Sequence, residues 1–107
     1  MGTIKEWLKE GEQQELFTIQ DIADHGCSGG VSGLIYYRET EKFHDDHEQE
    51  IWDLVQQLAE DSGQSIMNYI GNVSKAGSLS QLLNDLVWLA VEVRAQDILD
   101  EREREAA

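Results

Sequence analysis

Ser78 and Gln81 open the segment that most restricts the fold, because Leu79, Leu82, Leu83, Leu86, Ala90 and Val93 then recur at helical spacing. A serine with glutamine three residues on forms a capping box, and apolar residues spaced by three and four share one face of a helix. The pattern predicts a long C-terminal helix running through Leu99. Between Leu86 and Val91 almost every residue is apolar, which places that turn at the centre of a core. From Asp97 onward acids alternate with arginines, a pattern that supports a solvated helical end by i, i+4 pairing and predicts fraying after Glu103, over residues 104–107.

Shorter helical signals precede it. Ile4, Trp7 and Leu8 fall on one face of a first helix expected to end near Gly11, with Glu12 to Glu15 as connector. Thr18 and Asp21 form a capping pair ahead of Ile19, Ile22 and Ala23, in a helix that should stop at His25-Gly26. Glycines 26, 29, 30 and 33 interrupt the chain before Val31, Leu34, Ile35, Tyr36 and Tyr37, a buried run that reads as helix in preference to strand. Asp45 or Asp46 then caps a helix in which His47, Ile51, Leu54, Val55 and Leu58 share one face, closed by Ser62-Gly63. Ile66, Met67, Tyr69 and Ile70 suggest one further turn, and Gly71 to Gly77 reads as polar loop. The fold class is therefore all-α: one compact helical domain over residues 1–107, with a Gly-rich turn and a long last helix.

Charge narrows the partners. Twenty-two acids against eight bases give a net charge of -14, a surface that repels nucleic acid and anionic membranes and favours a basic partner. A hydrophobic fraction of 40% with three Trp supports a packed core despite that charge. No apolar run approaches a membrane span, and Met1 to Lys5 lacks an apolar signal core, so a cytoplasmic protein is expected. The lone Cys27 forms no intramolecular disulfide, in keeping with a reducing compartment. Charge is densest over residues 39–61, where nine acids, among them Asp45, Asp46, Glu50, Asp53, Glu60 and Asp61, face Lys42 alone, for a net charge of -8. These six acids are the candidate partner-binding residues, since rigid carboxylates on a helix imitate spaced phosphates and pair with Lys and Arg.

Motifs that would carry catalysis or metal lack their context. Gly26-Cys27-Ser28-Gly29-Gly30 matches the G-x-S-x-G nucleophile turn, but that chemistry needs a preceding strand and a general base oriented by an acid. His25, Cys27, His44 and His47 are suitable zinc ligand types, yet H-x-C and H-x-x-H are unusual spacings for a structural site. The glycines could aim amides at a phosphate, but no lysine follows at the spacing of a phosphate loop. No enzyme activity, metal or cofactor is expected.

His25-Gly26-Cys27-Ser28-Gly29, Val31, Leu34 to Tyr37, Thr40, Phe43, His47 and Glu50-Ile51, with Trp88, Ala90 and Glu92 further on, resemble a family of small bacteriophage and prophage proteins of uncharacterised function. The resemblance spans about half the chain and carries no catalytic residues. It implies a phage setting, in which small acidic proteins occupy the nucleic-acid surface of a host machine, as anti-CRISPR proteins do. The expected function is thus a phage-encoded inhibitor of host defence that acts in the host cytoplasm by charge mimicry. The alternative is a small phage structural or regulatory module that works through an apolar surface.

Overall fold

A computed structural model of the chain describes residues 3–25, 40–74 and 77–106, and every regular element in them is helical. The elements are α1 (Ile4–Gln13), α2 (Ile19–His25), α3 (Thr40–Asp46), α4 (Glu48–Asp61), α5 (Ile66–Val73) and α6 (Leu79–Ala106). The all-helical reading with a long last helix holds. The Gly-rich turn, the run 31–37, Cys27 and the G-x-S-x-G motif lie outside the described residues.

Local chemistry sets where the helices begin. The hydroxyls of Thr3, Thr18, Ser65 and Ser78 each accept from the backbone N–H three residues on, at 3.1–3.2 Å. Each satisfies one of the amide donors that a helix start leaves without an intrahelical partner. Gln81 completes its box one residue early, accepting from the Gly77 N–H at 3.2 Å instead of from the cap residue itself.

Four boundaries depart from expectation. α1 passes through Gly11 to Gln13. Residues 40–46 form a helix of their own, so Asp45 and Asp46 end α3 instead of capping α4, and His47 occupies the junction with no capping hydrogen bond from its side chain. Gly71 to Val73 continue α5, because Gly71 does not break the helix opened by the Ser65 cap. α6 runs three residues beyond Glu103.

The chain divides into two compact units. Met1–Leu34 with Val91–Ala107 form one, whose buried side chains include Ile4, Leu8, Phe17, Ile19, Ile22, Val91, Ala95 and Ile98. Gly11 lies directly beneath Phe17, and a Cβ built on it would sit 2.3 Å from the ring. Ile35–Ala90 form the other unit, with Ile51, Leu54, Val55, Ala59, Leu86, Val87, Trp88 and Ala90 buried. Leu86, Val87, Trp88, Ala90 and Val91 are thus buried, as the apolar run predicts, with Leu89 half-buried, whereas Leu79 of the same stripe is 71% exposed.

The acid-arginine end of α6 forms cross-helix pairs in its unit. Arg102 donates to both carboxylate oxygens of Glu12 at 2.7 and 3.4 Å, and Lys5 pairs with Glu101. Glu12 also accepts from the Ile19 N–H at 2.9 Å, so one carboxylate links α1, the start of α2 and α6. The expected i, i+4 acid-arginine pairing gives way here to partners some 90 residues distant in sequence. No described helix is long and apolar enough to cross a membrane.

Candidate functional site

Helical spacing separates α4 into two faces. Ile51, Leu54, Val55 and Ala59 are buried and Leu58 is half-buried, while Asp53, Glu60 and Asp61 are exposed and Glu50 is half-exposed. At about 100° per residue, Glu50, Asp53, Gln57, Glu60 and Asp61 fall within roughly a third of the circumference, adjoining the apolar stripe at its Leu54 edge. At a rise of about 1.5 Å per residue, that acidic stripe extends for about 16 Å.

The carboxylates on this stripe are oriented by neighbouring amides. Gln49 donates to Asp53 at 2.9 Å, Gln56 to Glu60 at 3.3 Å and Gln57 to Asp61 at 2.9 Å. Each glutamine lies four residues before its acid, where helical side chains meet. An amide neutralises nothing, so these bonds restrict the carboxylates without removing their charge. Lysine at the same spacing would have matched it. Sequence reasoning selected the acids and missed the glutamines, although the repeated Gln-x-x-x-acid spacing signals them.

Asp45 and Asp46 differ from the α4 set. Asp46 accepts from Lys42 at 2.6 Å, so its charge is locally matched, and this carboxylate in turn raises the Lys42 ammonium above its ordinary value. Asp45 is exposed and lies 3.2 Å from His44 Nδ1. His44 is buried, and its Nε2 accepts from the Trp52 indole N–H at 2.9 Å. That bond places the ring proton on Nδ1, where it points to Asp45. The six candidate acids are therefore four on one stripe of α4 and two at the end of α3.

His44 and His47 pack against aromatic neighbours, Trp52 and Phe43. Both ring nitrogens of His44 have partners, and the His47 ring lies 4.5 Å from Phe43. Among the described residues, no three His, Cys, Asp or Glu side chains gather as a metal site. Cys27 and the His25 side chain lie outside them.

A second surface differs in kind. Residues 62–84 contain no acid and only Lys75 as a base, the longest acid-free stretch of the chain. α5 lies within it, packs on α4, and buries none of its residues fully. Ile66, Met67 and Val73 are exposed, as is Leu79. Ile70, Ser74, Gly77, Ser78, Leu79 and Leu82 line an open depression of about 380 Å³.

The sequence matches the family described as a domain of unknown function, DUF7222, over residues 1–104, and the chain belongs to that family. No curated protein and no solved structure matches it. The expected membership of an uncharacterised family is thereby met.

Proposed function

For this DUF7222 member we propose a binding function without catalysis: its α4 face occupies a basic surface that otherwise holds nucleic acid. The observation that carries this reading is the stripe of Glu50, Asp53, Glu60 and Asp61, with three of the four carboxylates oriented by glutamines and left charged. Orientation before binding lowers the entropy lost when Lys and Arg side chains close on them. In a phage setting, which rests on the sequence resemblance, such a protein serves as an inhibitor of host defence of the anti-CRISPR kind and acts in the host cytoplasm. Its partner is a host protein or complex, and it makes no direct contact with nucleic acid or membrane.

A competition assay tests this. A guide-loaded CRISPR effector complex is mixed with fluorescent target DNA and increasing protein, at about 50 and about 300 mM salt. Bound DNA should be released, less effectively at the higher salt. The variant Glu50→Gln, Asp53→Asn, Glu60→Gln, Asp61→Asn should keep its fold, since solvated charges contribute little to stability, and lose most of the inhibition. Inhibition that ignores both salt and the four substitutions would refute charge mimicry.

The exposed apolar side chains of α5 and Leu79 favour a second reading, an interaction module that works through that surface without charge mimicry. Under it, the four-site variant would retain full activity.

A further inference from the structure

We propose that the acid-free face formed by α5 and the start of α6 is the interface of a homodimer. The inference rests on the apolar surface of the second reading and holds whether or not α4 engages a basic partner. Ile66, Ile70 and Val73 recur at i, i+4 and i+7 on α5, which carries no charged residue. Met67 and Leu79 project beside them, 79% and 71% exposed. Large apolar side chains grouped in this way mark a surface that another molecule covers.

Charge selects the second copy as that molecule. Two chains of net charge -14 repel, and any contact between their acid-bearing surfaces sets carboxylate against carboxylate. Residues 62–84 are the longest stretch where this does not arise, and the same lack of acids gives a basic partner no attraction there. Asp85, the first acid after the stretch, accepts from the Ser74 hydroxyl at 2.7 Å within its own chain.

Shape agrees with a two-fold arrangement. An isologous interface needs protrusion and hollow on the same face, because each copy supplies both. Here Met67, a flexible side chain suited to irregular gaps, projects from the helix whose Ile70 lines the depression shared with Leu79 and Leu82.

Sedimentation equilibrium of the full chain, from about 1 to about 100 µM, tests the proposal. A monomer–dimer equilibrium is expected, strengthened as salt rises from about 50 to about 500 mM, because salt screens repulsion between the copies. This dependence is opposite in sign to that of binding through α4, so the two ideas fail separately. Met67→Glu and Leu79→Glu place a carboxylate on each side of the interface and should each raise the dissociation constant by about tenfold or more. Met67→Ser serves as the milder variant, and circular dichroism verifies that each remains helical. Glu60→Gln should leave the dimer intact. A monomer at every concentration and salt, a dimer that salt dissociates, or one that folded Met67→Glu and Leu79→Glu variants leave unchanged would overturn the proposal.

Discussion

The end of α1 and the end of α4 are the same hydrogen-bonded turn built from different residues. In α1 the Leu16 N–H reaches the Gly11 carbonyl and the Glu15 N–H reaches Glu12, both at 3.0 Å. In α4 the Gln64 N–H reaches Ala59 at 2.9 Å and the Gly63 N–H reaches Glu60 at 3.0 Å. Both are Schellman ends, and each leads within a few residues to a Thr or Ser that caps the next helix. The matched positions hold different residues with different contacts. Gly11 lies under Phe17 where α4 has a buried Ala59, Glu12 is drawn into an ion pair where Glu60 is exposed, and Glu15 takes the left-handed position that Gly63 fills in α4. The lesson is that one backbone solution serves two purposes. The α1 turn joins elements through its side chains, whereas the α4 turn keeps its acids in solvent.

The largest effect should come from the first pair. Gly11→Ala drives a methyl into Phe17, and overpacking of this kind costs about 1–3 kcal/mol, less the small gain in helix propensity. Denaturant unfolding should show a net loss of about 2 kcal/mol. A neutral result would mean that Phe17 moves aside freely, and the contrast with Ala59 would disappear.

The second pair separates an internal acid from an external one. Glu12→Ala removes the bonds from Arg102 and from the Ile19 N–H and should cost about 1–2 kcal/mol, while Glu60→Ala should stay within about 0.5 kcal/mol of the parent. Acidity distinguishes them further. The Arg102 guanidinium, and after it the Ile19 N–H, hold the Glu12 carboxyl below its ordinary value of 4.5. A carboxyl lowered in the folded state stabilises fully above its unfolded value and loses that contribution as pH falls through the folded value. Unfolding measured from neutrality to below pH 4.5 should therefore show a loss on acidification that Glu12→Gln reduces and Glu60→Gln does not. Equal pH profiles for the three proteins would remove the distinction.

The smallest effect concerns backbone conformation. Glu15 adopts φ of 62° and Gly63 φ of 70°. A non-glycine residue there is disfavoured by about 1 kcal/mol, so Glu15→Gly should stabilise and Gly63→Ala destabilise, each by about that amount in thermal unfolding. Changes of the same sign at both positions would show that the two turns are not equivalent.

These comparisons also measure what could be read before folding. Thr18 with Asp21, Ser78 with Gln81, and the stripe Ile51, Leu54, Val55 located helices because caps and apolar spacing act within about four residues. The acids of α4 were legible for the same reason. The split between α3 and α4 was not: a run dense in acids around His47 gives no local break, and the His44–Trp52 bond that links the two helices joins residues eight apart.

The sequence by itself determined the helical class, most helix starts, the buried turn of α6 and the concentration of acid over residues 39–61, all consequences of neighbours along the chain. Only the tertiary structure decided which charges turn inward and which apolar side chains remain outside. Arg102 meets Glu12 and Lys5 meets Glu101 across some 90 residues, while Leu79 and Leu86 belong to one stripe and end on opposite sides of burial. The physical reason is range. Capping and periodicity are properties of a single helix, whereas the partner of a charge and the cover of an apolar side chain are supplied by other elements brought near it by packing.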